Sequence, residues 1–229
     1  MQTKIFNILM IVLIIIFIVG LGLGYWSLSK KICDIQTEIK NMKQIDEVKV
    51  DAQIDVAKEK KDIEQQDALT VAGKVIKAIE NKSLASWSTY IHPEKGVKFS
   101  PYFYVEDDDL VFMPEDLKSF TNSRKKYEWG VFDGTGLPIN LNFNDYYDRF
   151  IYDEDFSNAE SISVDKFIGS GNTINNIKEY YPGATTVEFH FSGFEQDLGG
   201  MDWKSLVLVL EQSNGQWYLV GVVHGEWTI

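Results

Sequence analysis

His92, His190 and His224 are the side chains of this 229-residue chain best suited to moving a proton near neutral pH or holding a metal. Three imidazoles can carry zinc with one position open, but no HExxH pair occurs and each histidine falls in a different element. A buried, hydrogen-bonded His224 is the simpler expectation. An acid–base pocket could instead be assembled from His190, Asp133 and Tyr102. Acyl transfer lacks its central part, because the single cysteine, Cys33, lies in a charged helical stretch and there is no GxSxG elbow.

Gly169-Ser170-Gly171-Asn172-Thr173 has the glycine content of a phosphate cradle but neither the lysine of a P-loop nor the further glycine of a dinucleotide fingerprint. It reads as a turn leading into a helix capped by Asn172 or Thr173. The acidic runs at 106–109 and 153–155, with Asp148 nearby, supply oxygen ligands without EF-hand spacing and read as solvated loops. No cofactor, metal ligand or catalytic residue is assigned. The stretch IHPEKGVKFSPY, residues 91–102, is read as a folded corner: Pro93 ends a helix, Gly96 permits a turn, and Phe99 and Tyr102 return to the core. The binding candidates are His92, Tyr102, Asp133, His190 and Trp203.

These side chains must be carried by a fold that the composition constrains. With 45% hydrophobic residues and 14% aromatics, the chain can bury a sizeable core. A net charge of -12 and a pI near 4.7 exclude a nucleic-acid partner, which needs a basic face. Residues 8–26 run nineteen positions without a charge, roughly 28 Å as a helix, and end in Tyr25 and Trp26. This predicts an uncleaved transmembrane anchor within residues 1–29. The lysines after it favour a carboxyl side that stays inside, but Asp34 and Glu38 dilute that bias, and a large following domain favours export. The expected location is therefore the cell membrane, single-pass, with the C-terminal domain outside.

Residues 30–67 contain neither glycine nor proline and carry eight lysines against ten acids, so they predict a helical stalk. Ile32, Ile35, Ile39 and Met42 keep the 3,4 spacing of a coiled-coil seam before register is lost at Asp46 and Lys49, a possible route to a homo-oligomer. Residues 68–229 form the globular part. An amphipathic helix carries Leu69, Ala72, Val75, Ile76 and Ile79, and a second short helix follows Ser83. Further elements are a helix at 114–125, a strand at 127–132, the Asp133-Gly134 turn and a helix from Asn144. Residues 185–191 alternate as a half-buried strand, with Glu188 and His190 on one face. A terminal hairpin turns at Asn214-Gly215, with His224 on the face of Val220 and Val222. The fold class is α+β, helices covering a curved antiparallel sheet.

The motifs HPxxGxxFSPY (His92–Tyr102), GSGNT (Gly169–Thr173) and GMDWxSLxLVxExxxGxWYLVGxxHxxWTI (Gly200–Ile229) make residues 68–229 resemble uncharacterised membrane-anchored or lipoprotein-type proteins of Gram-positive bacteria. The element order is also similar to the NTF2-like (cystatin-like) cone. These resemblances imply an exported domain on a scaffold that hosts enzymes, ligand binders and inert modules alike. The function expected is a non-enzymatic binding module for a protein or envelope ligand. Alternatives are a subunit of a secretion or conjugation machine, and an enzyme using the His/Asp/Tyr pocket.

Overall fold

The structure, a computed structural model, describes the backbone of residues 2–228 and the side chains of residues 58–228, together with scattered positions between 10 and 40. The chain divides into two compact units, Met1–Lys61 and Asp62–Ile229. In the first, the helix α1 (Gln2–Glu80) begins, and its described side chains are exposed. The transmembrane anchor over residues 8–26 is corrected here: among the described residues no helix is long and apolar enough to cross a membrane. Most side chains of residues 8–26, and the seam positions Ile32, Ile35, Ile39 and Met42, lie outside the described residues.

The second unit opens with the last turns of α1, where Ala68, Ala72, Val75 and Ile79 are buried at helical spacing. In chain order follow α2 (Leu84–Ser88), β1 (Val97–Ser100), β2 (Val111–Phe112), α3 (Pro114–Ser119), β3 (Lys126–Val131), β4 (Pro138–Asn142), α4 (Phe143–Tyr146), β5 (Ser161–Val164), α5 (Ile177–Tyr180), β6 (Thr185–Phe191), β7 (Lys204–Ser213) and β8 (Gln216–Glu226). Six strands form one sheet in the order β2-β1-β8-β7-β6-β5, while β3 and β4 pair separately.

The sheet is mixed, correcting the purely antiparallel expectation: β1 runs parallel to β8, Phe99 opposite Val222. A parallel partner needs a long connection, and the residues between these two strands supply it. The β7–β8 turn places Asn214 at φ 51° and Gly215 at φ 76°, the paired positive values of a type I′ hairpin. A bulge near Val209 and Leu210 leaves Val220 extra on β8, so Val220 and Val222 enter opposite core clusters rather than sharing a face.

Both faces of β7 are buried. Leu206, Leu208 and Leu210 join Val75, Ile79 and Trp87 in the larger cluster; Val207 and Val209 join Phe103, Ile177 and Trp203 in the smaller. Phe99 is central to the first, with Trp87, Trp129, Phe143 and Tyr146 ringed around it edge-on. Tyr147, in the π-helical turn that follows α4, donates its hydroxyl to the Ile79 carbonyl at 2.5 Å and so ties the end of α1 to this core.

β6 is not half-buried. Its apolar face meets the larger cluster, and its polar face is covered by the loop containing Gly169.

Candidate functional site

His92 is a corner residue. Its Nδ1 accepts the backbone N–H groups of Glu94 and Lys95, both at 3.1 Å, and its ring packs 5.4 Å from that of Tyr218. The imidazole thus completes the turn that Pro93 and Gly96 begin. From this corner β1 leads to Pro101 and Tyr102 at the mouth of a cleft of about 830 Å3.

Four segments wall the cleft: residues 101–109 after β1, the end of β3 from Glu128 to Val131, the Asp133 turn, and Asn172–Ile174. Local hydrogen bonds join them. The Asp133 N–H donates to the Tyr102 hydroxyl at 3.2 Å, and the Thr173 hydroxyl donates to Asp133 Oδ2 at 3.3 Å. Thr173 also meets the Thr228 hydroxyl at 2.8 Å, and Asn172 Nδ2 donates to the Thr228 carbonyl. The expected helix cap is therefore absent: these side chains bond across the fold, and α5 begins only at Ile177. The three motif segments, far apart in sequence, converge on one wall.

The cleft is acidic. Glu106, Asp108, Asp109, Glu128 and Asp133 line it with no lysine or arginine, and no described residue forms an ion pair with the Glu106, Asp108 or Glu128 side chains. Tyr104, Val131 and Ile174 add exposed apolar surface.

The 106–109 run is solvated at Glu106, Asp107 and Asp108, whose side chains are exposed, and not at Asp109, which is buried. It wraps the Lys98 ammonium, which donates to the carbonyls of Glu106, Asp107 and Asp109 at 2.8, 2.9 and 3.0 Å. Asp109 is buried beneath, its Oδ2 accepting from the Ser100 hydroxyl at 2.5 Å and the Glu106 N–H at 3.0 Å. Burial pushes its carboxyl up to about 6, more than those hydrogen bonds and Lys98 lower it.

His190 lies elsewhere. Its Nδ1 is 2.8 Å from the Ser205 hydroxyl, which donates to Glu188 Oε1 at 2.7 Å. Serine, histidine and carboxylate are together, but the serine bridges the other two and is fully buried, so no nucleophile faces solvent. Burial lowers the His190 pKa, opposed by Glu188 and Glu160. The work of Glu188 is positional: it accepts the N–H groups of Ile168 (2.5 Å) and Gly169 (2.9 Å), holding the loop that continues into the cleft wall. Gly169 allows this approach, since a Cβ there would lie 2.6 Å from the Trp203 ring. Trp203 itself is buried against Phe103 and His190.

Of the five candidates, then, Tyr102 and Asp133 meet at the cleft, His190 and Trp203 meet beneath the Gly169 loop, and His92 stands apart. The three imidazoles have separate partners and do not form the metal centre considered from sequence.

Sequence reasoning missed a charge cluster around His224. Its Nε2 lies 3.1 Å from Asp153 Oδ2, and its Nδ1 lies 3.3 Å from the Pro101 carbonyl. Ligand atoms of Asp153, His224 and Glu226 fall within 4.8 Å of one another, but the cationic place among them is taken by Lys204, which binds Glu226 closely and Asp153 at 3.1 Å. Arg149 forks onto Glu226 from the other side. Burial would raise the Asp153 carboxyl, but His224 and Lys204 hold it down to about 2. The signal was available: His224 and Glu226 share a strand face at i, i+2, and Lys204 is the cross-strand partner of Glu226. No family model matches the chain, and no curated protein matches it either.

Proposed function

We propose that this chain is a non-enzymatic binding module whose cleft takes a basic, partly apolar segment of a protein partner. The observation that carries the reading is the lining: five carboxylates with no basic residue, beside exposed Tyr104, Val131 and Ile174. Like charges gathered on low-dielectric walls focus a negative potential, which draws lysine or arginine side chains and speeds their encounter. The apolar rim favours a peptide over a bare cation, and a volume of about 830 Å3 accommodates several side chains. The candidate catalytic groups do not favour an enzyme, since His190 is buried away from Tyr102 and Asp133.

The test is fluorescence anisotropy of a labelled peptide of alternating lysine and leucine against the full chain. Binding should weaken with salt, be lost when the lysines are acetylated, and fall in Glu128→Gln and Asp133→Asn. Equal affinity for the acetylated peptide would overturn the proposal.

A further inference from the structure

Among the cleft carboxylates Asp109 differs in kind. Its side chain belongs to a residue only 7% exposed, and both of its hydrogen bonds fall on Oδ2, leaving Oδ1 without a partner on the cleft wall. Oδ1 is not sealed from solvent, so on a residue that lines the cleft it is the oxygen of this carboxyl open to a donor from a ligand. The Ser100 hydroxyl and the Glu106 N–H fix the carboxyl plane, so Oδ1 is oriented before any ligand arrives. We infer that Asp109 receives the ammonium or guanidinium group of the ligand, and that protonation of Asp109 releases it. This rests on the cleft being the binding site.

The groups facing Asp109 set the direction of the effect. Lys98, on the same strand as Ser100, spends its ammonium on three backbone carbonyls, one of them that of Asp109. Glu106 and Asp108 lie on the same loop, Glu128 and Asp133 across the cleft, and the hydroxyls of Tyr146 and Tyr181 belong to the helical elements packed behind. Lys98 is thus the only one of these groups that carries positive charge. An incoming cation at Oδ1 favours the ionised carboxyl and competes with the proton for the same oxygen. With the free carboxyl titrating at about 6, ligand is held at pH 7.5 and lost as pH falls through that value, so affinity at pH 5.0 should be about tenfold lower.

The experiment uses the full chain and the labelled lysine–leucine peptide at both pH values. Wild type should show the tenfold loss. Asp109→Asn, which can still accept from Ser100 and Glu106, should bind weakly at pH 7.5 and change by less than about twofold on acidification. Glu128→Gln should bind more weakly than wild type yet keep the tenfold response. Ser100→Ala removes a bond that favours the ionised carboxyl, and should move the release midpoint to higher pH even if Asp109→Asn fails to fold. A wild-type response retained by Asp109→Asn, or an unmoved midpoint in Ser100→Ala, would overturn the inference while leaving the cleft intact as a binding site. No binding by wild type at pH 7.5 would overturn the cleft reading itself.

Discussion

Replacing Glu188 with glutamine tests whether one buried carboxylate holds the Gly169 loop to the sheet. Glu188 is fully buried and accepts from two backbone N–H groups and the Ser205 hydroxyl. An amide of the same shape keeps one acceptor oxygen and turns the other into an NH2 facing a donor. One charge-assisted bond becomes a donor–donor contact, and the others fall to neutral strength. Hydrogen bonds to charged groups are worth roughly 1.5–3 kcal/mol and neutral ones about 1, so the loss should be about 3 kcal/mol. For a unit of this size that lowers Tm by about 6–12 °C. In urea the midpoint should fall with the m value unchanged, because the same surface is exposed on unfolding. Native-state hydrogen exchange adds a local readout: the amides of Ile168 and Gly169 should lose protection before those of β7. A destabilisation below about 1 kcal/mol, or unchanged protection at those two amides, refutes the anchoring role.

Gly169→Ala should cost about 1–3 kcal/mol and weaken peptide binding, because its Cβ would lie 2.6 Å from Trp203 and 2.8 Å from the Ser205 hydroxyl; thermal melts and anisotropy check this. Phe99→Ala removes the centre of the aromatic core and should cost about 3–5 kcal/mol in urea unfolding. Stability should also depend on pH in two windows. Asp109, raised to about 6 in the folded state, binds its proton more tightly folded than unfolded; that contribution is complete below the ordinary aspartate range near 4 and is lost as pH rises through about 6. Asp153, held at about 2, acts oppositely: its contribution is present above about 4 and lost as pH falls through about 2, and Glu226, which burial raises but Arg149, His224 and Lys204 lower by more, contributes with the same sign. Urea midpoints measured from pH 2 to 7 should therefore peak near pH 4, and Asp109→Asn should remove the decline between about 4 and 6.

Local rules carried much of the fold. The period-3.6 face of late α1, the Asn214-Gly215 hairpin and the turn around Pro93 and Gly96 all depend on neighbours in sequence and stand where the residues place them, although α2 stops at Ser88 and Pro93 does not end it. What depends on distant partners was not legible. The parallel pairing of β1 with β8 has no local signature, and the bulge at Val220 interrupts an alternation that sequence alone reads as unbroken. Glu188 and His190 looked like an outward face because their cover is a loop from another part of the chain. Tyr102 and Asp133 were singled out separately, but their contact needs β1 and the β3–β4 ribbon to be brought together. The acidic run at 106–109 gave no hint of Lys98, because a lysine inside a strand reads as a solvent-facing side chain.

The parallel pairing bears on how the unit is made. Phe99 and Val222 are register partners about 120 residues apart, so during synthesis β1 leaves the ribosome long before the strand that closes on it. At roughly 5–20 residues per second the wait is on the order of ten seconds. Throughout it Trp87, Phe99 and Trp129, which finish fully buried, have no sheet to pack against. Translation slowed between β1 and β8 prolongs that exposure and should lower the soluble yield even though the finished protein is unchanged.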